Sequence, residues 1–224
     1  MIIDPSAGPW QDAYRLITGT VVPRPIAFVS TRSPEGVPNL APFSFFTVVC
    51  ARPLTICFAP MRRGPQADKK DTLKHIEATG EFVVNVVDER FADAMNLTSA
   101  DFPEDVSEFE MAGLTPVRCE VVQAPRVQES PISLECRLFQ IVEVSDGPGG
   151  GSLVIGTVVR AHVRDELMQE GIPRPGEAWQ PISRCGGATY VRLTDTFELA
   201  RPVFSPEQLA ALQAGPVSSP SSAS

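Results

Sequence analysis

Ile132-Ser133-Leu134-Glu135-Cys136-Arg137-Leu138-Phe139-Gln140-Ile141-Val142-Glu143-Val144 opens with strict alternation. Ile132, Leu134, Cys136 and Leu138 fall on one face, and Ser133, Glu135 and Arg137 on the other. A period of two belongs to a β-strand. Gly147-Pro148-Gly149-Gly150-Gly151 follows as a turn or loop, and Leu153 to Val163 repeats the pattern with Leu153, Ile155, Val159, Ala161 and Val163. Together they read as a long β-hairpin.

Working outward, the other apolar segments are also short and β-branched. Ile26 to Thr31 reads as a strand, closed by the turn Ser33-Pro34-Glu35-Gly36. Asn39 to Cys50 runs extended, Leu54 to Ala59 forms another strand, and Phe82 to Val87 a further one. Twenty-two prolines punctuate the chain and exclude long helices. Three short helices are expected. One runs from Asp71 to Ala78, with Asp71 as N-cap and Gly80 as stop. The second covers Asp88 to Leu97, with Phe91, Ala94 and Met95 on one face, and the third Ser205 to Gln213. At least six strands with few helices imply a barrel or a sandwich. After Gly215 only Pro, Val, Ser and Ala remain, so a disordered tail is expected. The chain divides as one domain over residues 1–204 and a short helix with its tail over 205–224, without internal repeats.

Bulk composition excludes several functions. A net charge of −8 and a pI near 4.8 argue against a nucleic-acid surface or an anionic-membrane surface. No apolar run approaches a bilayer span, and Met1-Ile2-Ile3-Asp4-Pro5 lacks the pattern of a signal peptide, so a cytoplasmic location is expected. The five cysteines, Cys50, Cys57, Cys119, Cys136 and Cys185, form no Cys-x-x-Cys and read as free buried thiols. With only His75 and His162 present, a His-rich metal site is excluded. No Gly-x-Gly-x-x-Gly follows a strand, and neither a Gly-x-Ser-x-Gly nor a P-loop is present. Chemistry, if any, falls to a cofactor.

Two segments suit one. Asn39-Leu40-Ala41-Pro42-Phe43-Ser44-Phe45-Phe46 combines an amide, a proline, a hydroxyl and three aromatics, the surface a planar heterocycle needs. The same octapeptide would also serve as a core strand with Asn39 in a turn. Met61-Arg62-Arg63-Gly64-Pro65-Gln66-Ala67-Asp68-Lys69-Lys70-Asp71-Thr72 is a basic loop opening into a helix. Free N–H groups, the helix dipole, Lys70 and Thr72 outline a phosphate site. An N-cap carboxylate at Asp71 would repel a phosphate, so Asp71 should engage the helix N–H groups or a cation. A solvated basic loop beside an ordinary helix is the competing reading.

In this order, with Thr20-Val21-Val22-Pro23-Arg24-Pro25-Ile26-Ala27-Phe28-Val29-Ser30-Thr31 ahead of them, the segments resemble the flavin reductase-like family of FMN-binding split barrels. The likeness is sharp over residues 14–90 and weaker through Ile155–Val163 and Ile182–Tyr190. It implies a mainly β fold, a six-stranded Greek-key split β-barrel with a few flanking short helices. It further implies that the flavin ring lies against Asn39 to Phe46, with the backbone near Ala41 and Pro42 at its polar edge and Ser44 and Phe45 close by. Ser30 and Thr31 would add hydroxyl contacts. Arg62, Lys70 and Thr72 would hold the phosphate, with Asp71 ordering the loop. The family is typically a homodimer with FMN near the interface, which makes Arg184 and His162 candidates to approach the flavin, across the interface included. His75, Cys50 and Cys185 depart from the family pattern.

Three functions follow as expectations. The first is an NAD(P)H:FMN oxidoreductase passing hydride from NADH or NADPH to flavin N5, alone or as the partner of a monooxygenase. The second is an FMN-containing electron carrier without nicotinamide activity, and the third a non-flavin split barrel. His162 is the one general-acid candidate, beside its plainer role as a satisfied strand histidine.

Overall fold

The computed structural model describes residues 1–213, with the side chains of 210–212 left aside. The expected tail after Gly215 lies outside the described residues. Seven strands form one antiparallel sheet: β1 (Ala27–Arg32), β2 (Pro38–Phe43), β3 (Phe46–Ala51), β4 (Leu54–Phe58), β5 (Glu81–Val86), β6 (Ile132–Ser145) and β7 (Gly151–Val163). Their spatial order is β2-β1-β5-β6-β7-β4-β3. The expected long hairpin, β6 with β7, is its centre, in a register that pairs Ile132 with Val163 and Leu134 with Ala161.

The count of seven differs from the expected six at one place. Asn39 to Cys50, read as a single extended run, bends at Ser44 and Phe45. Its first half pairs with β1 and its second half with β4, so the two ends of the sheet belong to one continuous stretch. Phe43 and Phe46 are three peptide steps apart, at most about 11 Å. The sheet must therefore roll until its edges meet, which makes a barrel of it.

The barrel interior holds Val29, Phe43, Ile56, Phe58, Phe82, Val84, Cys136 and Val154, with Leu73 and Ile76 of helix α2 (Asp71–Thr79) closing one end. Phe58 packs against Phe43 (5.1 Å between centroids) and Phe82 (5.5 Å). Phe82 also lies over Gly156, where a Cβ would collide with its ring. Alternate residues of β1 and β2, Phe28 and Leu40, face the other way into a second core with Phe91, Met95 and Phe109. β1 is thus buried on both faces from Ala27 to Thr31, which suits the unbroken apolar run Ala27-Phe28-Val29 at its start.

Gly80 ends α2 in a left-handed conformation (φ 70°), as expected. The Asp88–Leu97 segment resolves into a 3-10 turn (Glu89–Phe91) and helix α3 (Ala92–Leu97). Two further helices, Trp10–Thr20 and Glu108–Ala112, were not anticipated, while Pro206–Gln213 matches the expected short helix. β8 (Ile182–Arg184) and β9 (Tyr190–Arg192) form a short antiparallel hairpin. Residues Met1–Leu193 form one compact unit, and a second begins at Thr194. No described helix is long and apolar enough to cross a membrane. All five cysteines are free, but only Cys119 and Cys136 are buried as expected; Cys57 and Cys185 are half-buried, and Cys50 lies on β3, whose residues are exposed from Thr47 to Ala51.

Candidate functional site

Strand β2 ends the sheet order, so one of its edges has no ladder partner. The Leu40 N–H points off that edge and donates to Glu108 Oε2 (3.0 Å). Backbone direction repeats every second residue, so Pro42 turns outward as well. Proline has no N–H to leave unpaired, which suits an edge. A cavity of about 390 Å³ opens here, lined by Pro42, Ser44, Ile26 and Arg24, by Met95, Asn96 and Ser99, and by Tyr14, Arg184 and Tyr190. It sets the apolar side chains of Ile26, Pro42 and Met95 among a larger number of polar groups, a lining that offers a planar heterocycle both a flat face and hydrogen-bonding edges.

Arg24 builds this cavity, and sequence reading did not single it out. Its side chain is buried and donates to Thr18 O (2.6 Å), Val21 O (2.6 Å) and Cys185 O (2.9 Å), with Ser44 Oγ at 3.4 Å. It thereby ties the end of helix Trp10–Thr20 and the β8 end to the β2–β3 bend. The local signal was an arginine between two prolines, Pro23-Arg24-Pro25. Phe45 lies at the rim, 6.4 Å from the Tyr14 ring and 5.9 Å from the Arg24 guanidinium. Across the cavity Arg184 rests on the Tyr190 ring (4.6 Å), donating to Tyr190 Oη and to Gly187 O. Ala41 faces the barrel core instead.

The other end of β2 reaches α2. The Asn39 amide lies within hydrogen-bond reach of Thr31 Oγ1 (3.3 Å) and Thr72 Oγ1 (3.0 Å), and with its nitrogen turned that way, of Glu108 Oε1 (3.3 Å). His75 Nδ1 meets Thr31 Oγ1 at 3.1 Å. Burial pushes the His75 imidazole below its ordinary value, against Asp71 and Glu104, and pushes the Glu108 carboxyl above its own.

Asp71 is not the N-cap. Lys70 occupies that position in extended conformation (φ −66°, ψ 149°), without a side-chain cap, and Asp71 is the first helical residue. Asp71 instead accepts from Arg63 Nη2 (3.1 Å) and Lys74 Nζ (3.1 Å). Burial alone would raise its carboxyl, but Lys74 and Arg63 hold it below the usual range. The N–H groups of Asp71 and Thr72 find no acceptor among the described residues. The Lys70 ammonium likewise makes no hydrogen bond or ion pair among them, and burial followed by repulsion from Arg63 pushes it below its ordinary value. An unpaired, half-buried cation beside free helix N–H groups fits an anion.

Arg62 and Arg63 part company in this loop. Arg62 pairs with Glu143 of β6, leaving its Nε without a partner. Arg63 is the one beside Lys70 and Asp71, with Nε 3.1 Å from Asp101 Oδ1 but poorly aligned for a hydrogen bond. Sequence reading named Arg62, because neighbouring arginines carry no local sign of which one turns toward the helix.

Two other candidates sit in structural networks. Ser30 is fully buried, donating to Pro125 O and accepting from Asn85 Nδ2 (3.1 Å). His162 Nε2 lies 2.6 Å from Glu135 Oε1, near Cys119. Glu135 also accepts the N–H groups of Glu120, Val121 and Val122. None of these lines the β2 cavity.

The chain matches the model of the flavin reductase like domain over residues 18–175. An uncharacterised protein of Halalkalibacterium halodurans is 43% identical over 208 residues, covering 92% of this chain and 98% of the relative. Nitrilotriacetate monooxygenase component B from Bacillus cereus superposes with a TM-score of 0.83 at 40% identity, over 89% of this chain and 98% of that one. The 2-nitrobenzoate 2-nitroreductase of Pseudomonas fluorescens superposes with a TM-score of 0.81 at 37% identity, over 92% and 98%.

Proposed function

The chain belongs to the flavin reductase like domain family, and from that premise we propose that it is an FMN-binding oxidoreductase that takes hydride from NADH or NADPH. The phosphate sits at the N-terminus of α2, on Lys70 and the N–H groups of Asp71 and Thr72, with Arg63 close by. The ring lies along the open edge of β2, against Pro42 and Ser44, under Arg24 and Arg184. Asn39 to Ser44 spans about 17 Å of strand, so one extended flavin mononucleotide bridges the two ends. Lys70, unpaired and half-buried in front of free helix N–H groups, is the observation that carries the reading.

Bound flavin supplies a hydride acceptor at N5, and the protein supplies position. Arg24 fixes the wall of the cavity through three carbonyls. Asn39 contacts Thr72 in either orientation of its amide, and so keeps the phosphate end in register with β2. Arg62, Ser30 and His162 contribute to the frame of the barrel rather than to the cofactor.

The barrel is taken as a six-stranded Greek key, counting β2 and β3 as one bent strand. A homodimer completes the site. It is supported by the exposed apolar residues Trp10 and Ile17 on the helix whose Tyr14 lines the cavity, by Val21 just beyond it, and by exposed Val48 on the edge strand β3. A separate oxygenase is proposed as recipient of the reduced flavin, supported by the likeness to a monooxygenase component B.

Anaerobic titration of FMN-loaded protein with NADH and NADPH tests this. Bleaching of the flavin band by either is expected. FMN binding without bleaching turns the reading to an electron carrier, and failure to bind FMN overturns it.

A further inference from the structure

A second hollow of about 360 Å³ lies between α3 and the β8–β9 hairpin. It shares Asn96, Arg184 and Tyr190 with the cavity along β2, so a molecule seated in it abuts the proposed flavin site. Ala92, Ile182, Ala188 and Val191 give it apolar walls. Its volume lies within the range of small-molecule pockets.

The charges in this hollow are unequal in consequence. Glu89 and Arg192 cancel each other, with the Arg192 Nε 2.7 Å from both oxygens of Glu89. Asp93 is exposed, where solvent screens it. Arg184 has no carboxylate within ion-pair distance among the described residues; its two engaged donors meet the neutral oxygens of Tyr190 and Gly187. A guanidinium carries five N–H donors, and a planar carboxylate is the partner its fork geometry matches. Arg184 is therefore a half-buried charge of the hollow without a carboxylate partner, fixed against an aromatic face.

We propose that this hollow binds a single-ring aromatic carboxylate, with the carboxylate on Arg184 and the ring between Ala92, Ile182 and Val191. The assignment rests on the flavin reading for its significance, since it puts an organic acid beside the proposed ring site, but not for its test.

The test is calorimetric titration of the full-length protein, with and without FMN, using sodium benzoate as probe and uncharged benzamide as control. Saturable benzoate binding is expected, with benzamide weaker by roughly tenfold or more, as loss of a charge-assisted contact implies. Arg184→Gln should weaken benzoate by about the same factor. Ala188→Leu fills the second hollow without lining the first, so it should abolish benzoate binding and leave FMN affinity in place. Absence of saturable binding, benzamide as tight as benzoate, or unchanged benzoate affinity in Ala188→Leu would overturn the proposal. Benzoate binding in a protein that takes no FMN would uphold this hollow and sink the flavin reading alone.

Discussion

Thr31 Oγ1 lies 3.1 Å from His75 Nδ1, and this contact ties the end of β1 to the middle of α2. The imidazole is buried, and burial keeps its pKa below the unfolded value despite Asp71, Glu104 and Glu35, with Lys74 adding to the depression.

A pH dependence follows from that sign. A base with a depressed folded pKa costs no stability above its unfolded pKa, near 6.5. As the pH falls below that value the unfolded chain gains a proton that the folded one refuses, and stability drops. His75→Gln should flatten the loss of melting temperature between about pH 7 and pH 5. Glu108, whose carboxyl is raised, acts in the opposite sense in both proteins, so the difference between them isolates His75. An identical slope in the variant would refute the assignment.

Lys70 should separate phosphate from ring. Lys70→Ala is expected to weaken FMN by about ten- to a hundredfold, the worth of a charge-assisted bond, and to leave riboflavin affinity unchanged. Because the ammonium is unpaired in the free protein, the melting temperature without flavin should not fall. Fluorescence titration with both flavins checks this, and equal losses for the two would move the phosphate elsewhere.

Arg24 should do the reverse. Arg24→Ala leaves three carbonyls, that of Thr18 buried, without their donor and is expected to cost about 2–4 kcal/mol in urea unfolding. FMN and riboflavin should weaken together, since the cavity wall moves. Arg24→Lys cannot reproduce the fork and should rescue little. Full stability in the alanine variant would contradict the role given to this residue.

Gly156 is a packing test of the barrel. Gly156→Ala drives a methyl into the Phe82 ring and should cost about 1–3 kcal/mol. Phe82→Leu in the same chain should recover part of that loss. A double variant no more stable than the sum of the single ones would argue against direct collision.

The elements legible in the sequence were those whose pattern is local. The alternation of Ile132–Leu138 predicts β6, and Gly80 marks the end of α2, because each depends on neighbours a few residues away. Helix Trp10–Thr20 escaped because its apolar residues face outward and Pro9 offers no side-chain cap. The site was legible as two segments, Asn39–Phe46 and Met61–Thr72, but not as a set of contacts. Arg24 meets Cys185 across 161 residues, and Glu108 reaches Leu40 across 68. Buried polar partners so distant leave no periodicity to read. The choice between Arg62 and Arg63 turned on which carboxylate each finds in space, Glu143 or Asp71.

The bend at Ser44 and Phe45 makes the groove along β2 a property of the closed barrel. β2 and β3 belong to local hairpins with β1 and β4, and β5, β6 and β7 link those two hairpins around the sheet. The bent stretch is therefore a seam between the two halves of the sheet. Closing that seam sets Ser44 against Arg24, so a defect anywhere around the ring of strands would be felt as a lost groove.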